Sequence, residues 1–304
     1  TFNGNTHFDD FSDQGNYWNQ TPYSYEFDGA DDYIASSGGI TAYNAFSSHF
    51  LCIHAWVKPD FSDRGTHRMF TASGTQYQYY MYINTSNEIG AQIEVSGTDG
   101  VTTAADDLRV LDYGGWNLFT FIQDGTTAIK SYINGILWNS TSSYASSVGA
   151  SVSELRVGAA TAASQFAKCQ IAQVGVWEPT TQGGLHSDAN ILSLWEAGPT
   201  ANWLTDFSAD MNCYLAMGNH NDLAGRPADT AAAVYDRSGN ANDGTTAGTM
   251  YAPHKGKLLI PYGGAKHTTE RKNFGSSAIV FDGSNDIITT YKTSPDWDWG
   301  STGD

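Results

Sequence analysis

The chain has 304 residues, of which 40% are hydrophobic, 13% aromatic and 15% charged, enough for two domains or one large one with a substantial core. With 15 basic against 32 acidic residues the net charge is −17, which argues against nucleic acid and anionic membranes as partners, because both require a basic footprint. No apolar run approaches the roughly 18 residues of a spanning helix, so membrane insertion is not expected.

The 17 Tyr, 14 Phe and 9 Trp, set among 32 Gly and many Asn, Ser and Thr, favour strands joined by tight turns. The expected fold class is all-β. The three cysteines, Cys52, Cys169 and Cys213, lie far apart without a CxxC or metal spacing, and read as buried free thiols. No signal peptide opens the chain, which does not begin with Met and reads as an interior piece of a longer polypeptide.

In chain order, the first feature is Asp10-Phe-Ser12-Asp-Gln-Gly-Asn16, followed by a β-rich run that ends in Phe27-Asp28-Gly29 and an acidic pair, Asp31-Asp32. Phe50 to Val57 is a buried strand closed by Lys58-Pro59-Asp60, because proline cannot continue a central ladder. Met69 to Ala72, Tyr77 to Ile83 and Ile89 to Val95 follow as strands separated by turn residues. Trp116 to Gln123 carries large apolar groups on both faces. Ile129 to Ile133 and Ile136 to Trp138 flank Asn134-Gly135, the preferred two-residue hairpin turn. Leu155 to Val157 and Ile171 to Trp177 complete the strands. One helix is expected: Ser187 or Asp188 caps it, Ile191, Leu194 and Trp195 form its apolar face, and Gly198-Pro199 stops it.

Farther along, the early features recur. Asp236-Arg-Ser238-Gly-Asn240-Ala-Asn242 repeats the Asp, Ser and Asn of residues 10–16, and Phe281-Asp282-Gly283 repeats Phe27-Asp28-Gly29. Seventeen positions separate Asp10 from Phe27 and 45 separate Asp236 from Phe281, so the second copy carries a 28-residue insertion, expected as a surface loop including 253–273. The resulting organisation is a first repeat at 1–198 that lacks its opening strand, a linker at 199–210, and the start of a second repeat at 211–304 opening with Cys213 to Gly218. A strand donated between subunits is one way to supply the missing strand.

Asp236 to Gly244, both Phe-Asp-Gly elements, Ile53-His-Ala-Trp-Val-Lys-Pro59, the Trp116 strand, Tyr132-Ile-Asn-Gly135, Leu155-Arg-Val-Gly158 and Ile171 to Trp177 occur in the order seen in laminin-G-like members of the concanavalin A-like lectin/glucanase superfamily. The chain resembles that family over roughly 10–198 and again from about 205 to 304. The resemblance implies an antiparallel β-sandwich of the jelly-roll type. Tandem copies of this kind are similar to phage tail-fibre and virion appendage proteins and to bacterial surface adhesins, an analogy of setting rather than of function.

The Asp-x-Ser…Asn loop and the Phe-Asp-Gly loop lie one strand apart, so a turn can bring Asp236, Asn240, Asn242 and Asp282 around Ca2+, which takes six to eight oxygen ligands in irregular geometry. The equivalent set in the first copy is Asp10, Asn16 and Asp28, although Gln14 stands there for Asn240 and Trp18 for Gly244. The competing reading is that these side chains form Asx-turns with nearby backbone amides, and that Asp31-Asp32 is a solvated turn. For a sugar, whose C–H face stacks on an aromatic ring, the candidates are the run Tyr77, Tyr79, Tyr80 and Tyr82, together with Trp18, Trp297 and Trp299. One alternating half of Tyr77 to Tyr82 must face the core. His54 reads as a hydrogen-bonded residue inside the sandwich, and the other seven histidines as solvent-exposed.

Catalysis finds little support. A retaining glucanase needs two carboxylates about 5–5.5 Å apart, and no strand carries the alternating acids of a Glu-x-Asp-x-x-Glu element; no Gly-x-Ser-x-Gly elbow is present either. The expected function is a non-enzymatic structural or adhesive protein, extracellular, on a virion or a bacterial surface. Its partners would be copies of itself or other surface subunits, together with cell-surface glycans. The alternative is a carbohydrate-binding module of a larger secreted bacterial protein, and a degenerate glycosidase ranks third.

Overall fold

A computed structural model describes residues 22–36, 38, 50–60, 65–74, 77–85, 89–95, 98–105, 115–125, 128–142, 152–160, 164–220, 226–250 and 253, and four short strands between 259 and 290. The chain divides into two compact units, one formed by 17–254 and the other by 1–16 with 255–304.

The larger unit is a two-sheet antiparallel sandwich. The first sheet contains β1 (Tyr25–Asp28), β3 (Phe50–Pro59), β8 (Asn117–Asp124), β9 (Ala128–Ile133), β10 (Ile136–Ser142), β12 (Lys168–Trp177) and β13 (Met211–Leu215), in the order β1-β12-β3-β8-β9-β10, with β13 also on β12. The second has the order β14 (Ala233–Val234), β15 (Gly244–Ala247), β2 (Tyr33–Ser36), β11 (Val152–Val157), β4 (His67–Gly74), β5 (Tyr77–Ile83), β6 (Ile89–Val95) and β7 (Thr98–Ala105). All pairings are antiparallel.

Period-2 alternation decides what lies between the sheets. From β3, Leu51, Ile53, Ala55 and Val57 enter the central core; from β8, Phe119 and Phe121 do; from the opposite sheet come Ile34, Phe70, Tyr79, Met81 and Leu155. Phe121 meets Phe70 and Tyr79 edge-on, with centroids 6.5 and 6.2 Å away, a favoured aromatic arrangement. Phe27 is core, as its place before Asp-Gly suggests. The Asn134-Gly135 turn has φ of 53° and 81°, the positive pair that a two-residue hairpin turn demands. Strand β3 extends through Lys58 and ends on Pro59, opposite Cys169, so the proline terminates the ladder rather than preceding its end.

The outward residues of β3 and β8 form a second apolar cluster. Cys52, Trp56, Leu118 and Ile122 are roofed by α1 (Asp188–Ala197) and α2 (Trp203–Asp206) through Ile191, Leu194 and Trp203. Helix α1 begins as its sequence predicts: Ser187 and Asn190 form a reciprocal capping box, and Gly198 ends it. The three cysteines are free and buried.

The structure redraws the expected boundary at 199–210. Strand β13 pairs with β12 from Val174↔Leu215 to Trp177↔Met211, and β15 pairs with β2 from Gly244↔Ser36 to Ala247↔Tyr33. The reason is edge satisfaction. Short β1 covers β12 only from Lys168 to Ile171, and β13 supplies hydrogen-bond partners for the rest of that edge. Residues 211–254 therefore belong with 17–210. In the smaller unit, β16 (Leu259–Tyr262) pairs with β19 (Ile287–Thr290), and β17 (Lys266–Thr268) with β18 (Ala278–Val280).

Candidate functional site

The Asp236 loop resolves into turn chemistry. Asp236 is fully buried; Oδ1 accepts from the Tyr214 and Ser238 amides, each at 2.8 Å, and Oδ2 from Ser238 Oγ and the Asn242 amide, each at 2.9 Å. Four donors fill the roughly four lone-pair sites of a carboxylate. Asn240 Nδ2 donates to the carbonyls of Met211 and Asn212 at 3.1 and 3.0 Å, and Asn242 Nδ2 to Asn212 O at 2.8 Å. These side chains stitch the loop to β13 through a backbone-binding network. Asp282, Asp10 and Asn16 lie outside the described residues.

Asp28, by contrast, is in acidic company. In the β1–β2 turn the carboxylates of Asp28, Asp31 and Asp32 lie with their oxygens within 4.8 Å of one another, the one such group of potential metal ligands among the described residues. Asp28 and Asp31 are exposed, whereas Asp32 is only 4% exposed. The turn is built from its own side chains: Asp28 Oδ1 accepts from Ala30 N at 2.7 Å and Asp32 Oδ2 from Asp28 N at 3.1 Å. Gly248, at φ 80°, packs against it so closely that a Cβ there would stand 2.3 Å from Asp32 Oδ1 and 2.9 Å from the Asp31 carbonyl oxygen. Three carboxylates and a nearby carbonyl are hard oxygen donors of the kind calcium takes. The sequence signal is the Asp31-Asp32 pair after Phe-Asp-Gly, a pattern that reads first as a solvated turn and only second as a metal contact.

Beside this turn, the outer face of the eight-stranded sheet carries arginine and tyrosine. Tyr33, directly after Asp32, stacks with Phe166 at 6.4 Å and 26°, and the Arg156 guanidinium lies 4.4 Å from the Tyr33 centroid. Arg156 is fixed by Glu154, at 2.5 Å, and by the Ala160 carbonyl at 2.9 Å. Across Thr71, which lies opposite both Arg156 and Tyr80, the Arg68 guanidinium stands 3.6 Å above the Tyr80 ring. Tyr80 packs on Tyr82 at 5.7 Å. The half-buried rings of Tyr33 and Phe166 give the acidic turn an aromatic neighbour.

Of the expected sugar-binding aromatics, Tyr79 is corrected by its register. It pairs with Ala72 and Ile93 on the inward face and is 1% exposed, so Tyr80 and Tyr82 are the outward members of that strand. The side chain of Tyr77 and all of Trp18, Trp297 and Trp299 lie outside the described residues. Among the histidines, His54 is buried and hydrogen-bonded as expected. His67 and His186 are not free on the surface: His67 Nδ1 is 2.7 Å from Phe166 O, and His186 Nδ1 is 2.9 Å from His54 Nε2. Burial pushes the Cys52 thiol up to about 12 and raises Cys169 and Cys213 as well, so all three stay protonated and unreactive at neutral pH.

This two-sheet antiparallel sandwich has the architecture of a concanavalin A-like domain. The chain belongs to the concanavalin A-like lectin/glucanases superfamily: a laminin-G family model matches residues 28–181. Among solved structures, a candidate carbohydrate-binding protein from Bacteroides ovatus is similar at TM-score 0.51 and 13% identity, over 77% of this chain and 61% of that one, so this chain spans less than two thirds of that protein. A heptameric pentraxin from Limulus polyphemus is similar at TM-score 0.44 and 11% identity over 58% and 82% of the two chains. Domains LG4-5 of the mouse laminin α1 chain are similar at 0.41 and 8% over 52% and 44%. No curated protein sequence matches the chain.

Proposed function

We propose that the chain is a non-enzymatic, extracellular glycan-binding module in which Ca2+ at Asp28, Asp31 and Asp32 organises the rim and a sugar ring rests against Tyr33 and Phe166. The observation that carries the reading is an acidic turn followed directly in the chain by Tyr33, whose ring stacks with Phe166, in a sandwich of the concanavalin A-like superfamily. Calcium supplies a fixed positive charge in a chain of net charge −17 and orders a turn whose like charges otherwise repel. The aromatic pair supplies the apolar face that a sugar's C–H groups need.

The three carboxylates each bring an oxygen within 4.8 Å of the others, the close gathering of hard oxygen donors that a calcium ion takes. In its finer form the proposal places the module in an adhesive or structural assembly on a phage virion or a bacterial surface, touching copies of itself and host glycans. The resemblance of the Bacteroides ovatus structure supports the alternative setting, a carbohydrate-binding module of a larger secreted protein.

Glycan-array binding measured with Ca2+ and with chelator tests the reading. Binding that needs Ca2+ and is lost in both Asp31→Asn and Tyr33→Ala, with unchanged circular dichroism, is expected. Binding indifferent to both substitutions, or no binding to any glycan class, would overturn it.

A further inference from the structure

We infer that residues 178–207 form an acid-released cap over the outer face of the seven-stranded sheet, with the hydrogen-bonded pair His54–His186 as its trigger. This goes beyond glycan binding and is independent of it.

The geometry places the pair across the seam. His54 belongs to β3, is 0% exposed and points to the outer face, where Nδ1 is 2.7 Å from Thr120 Oγ1 of the neighbouring strand. His186 belongs to the cap, just before α1, and its Nδ1 is 2.9 Å from His54 Nε2. The two ring planes lie within 19° of each other with centroids 5.0 Å apart, as an in-plane hydrogen bond between imidazoles requires. Trp177 lies 5.0 Å from His54 and 4.8 Å from His186; Trp203 lies 6.3 Å from His54 and Phe207 5.7 Å from His186. The His186 amide also donates to Cys52 Sγ at 3.4 Å. One segment of the cap is thus tied to β3 through an imidazole pair inside an aromatic box.

Proton counting makes this seam conditional. An N···N contact of 2.9 Å holds one hydrogen between the two rings, so one facing nitrogen donates and the other accepts. A first extra proton turns the pair into a cation enclosed by indole and phenyl rings, which burial penalises. A second sets N–H against N–H and abolishes the bond. Burial first, and then the neighbouring imidazole, holds His54 well below its ordinary value; burial draws His186 down to about 4.

The sign follows from linkage. Both groups have depressed values in the capped state, so the uncapped state binds more protons below the ordinary histidine value of 6.5. The cap is fully secured above that pH and is loosened as pH falls from there toward about 4. The other ionisable groups at the seam are Cys52 on β3, Tyr132 on β9, whose hydroxyl donates to Asp188 Oδ1 of α1 at 2.8 Å, Asp124 on β8, which accepts from Gln182 of the cap at 2.8 Å, Tyr214 on β13, His220, whose Nε2 lies 3.1 Å from the Ala201 carbonyl of the cap, Glu178, Glu196 and Asp206 of the cap, and Asp210 just beyond it. Cys52, Tyr132 and Tyr214 are all raised and stay protonated through this window. Release would uncover Trp56, Trp177 and Trp203.

Hydrogen exchange on the full chain from pH 7.5 to 4.5, corrected for intrinsic rates, reads the effect. Protection of the 186–197 amides is expected to fall at least tenfold below pH 6 while β3 and β8 stay protected. His186→Gln, which keeps a hydrogen-bonding side chain that does not titrate, is expected to hold its protection to pH 4.5. A flat wild-type profile, or the same acid loss in His186→Gln, would overturn the inference. Should that variant not fold, imidazole NMR shifts of the wild type decide: two coupled titrations below pH 6, moving with the amides, support it, and either ring titrating at 6.5 refutes it.

Discussion

The two sheets turn very different outer faces away from their shared core. Behind the seven-stranded sheet, Trp56, Leu118 and Ile122 are roofed by helices, and this outward layer is a second core. Behind the eight-stranded sheet, Tyr33, Arg68, Arg156, Tyr80 and Tyr82 lie in arginine–aromatic contacts beside an acidic turn. Alternation along a strand tells which residues leave the central core, but not whether a further layer awaits them. Composition carries that second message: β3 and β8 are apolar on both faces, whereas β5 and β11 place tyrosine and arginine on one.

Substitutions can break this contrast in graded fashion. The largest effect is expected at Trp177, which is fully buried beside His54 and donates its indole N–H to Phe207 O at 2.5 Å. Trp177→Ala should cost about 3–5 kcal/mol in denaturant unfolding, the usual range for deleting a buried tryptophan. Gly175→Ala comes next, because its Cβ would stand 2.4 Å from the Trp177 ring and 2.9 Å from Trp203; overpacking of this kind costs about 1–3 kcal/mol. Ser187→Ala removes the capping box of α1 and should cost about 1 kcal/mol. On the opposite face, the half-buried Tyr82 lies over Gly90, and Tyr82→Ala should change stability by no more than about 1 kcal/mol. A cost at Tyr82 equal to that at Trp177 would erase the distinction between the helix-covered apolar face and the arginine–tyrosine face.

Much of the fold was legible because strand signals are local. The runs at 50–57, 116–123 and 171–177, the Asn134-Gly135 turn and the Ser187 cap are written in consecutive residues, and the structure places strands, hairpin and helix there. What the sequence concealed was partnership. Cys213 to Gly218 is legible as an opening strand, but the strand it would join depends on which edge is left unpaired, and that edge is the Val174–Trp177 half of β12. Tyr79 and Tyr80 are chemically alike, and only their register, set by Ala72 and Thr71, sends one inward and the other out. The acidic trio combines Asp28 with a pair three and four positions on, a spacing shared by any tight acidic turn. Likewise, nothing local announces that His54 and His186, 132 positions apart, share a hydrogen bond.

The rim is where the account is most exposed, and calorimetric titration of Ca2+ into the chelator-treated protein tests it most directly. Saturable binding at one site, accompanied by a higher melting temperature and abolished in Asp31→Asn, is the expected result. Absence of heat and an unchanged melt, or binding that survives Asp31→Asn undiminished, would contradict a cation held between β1 and β2.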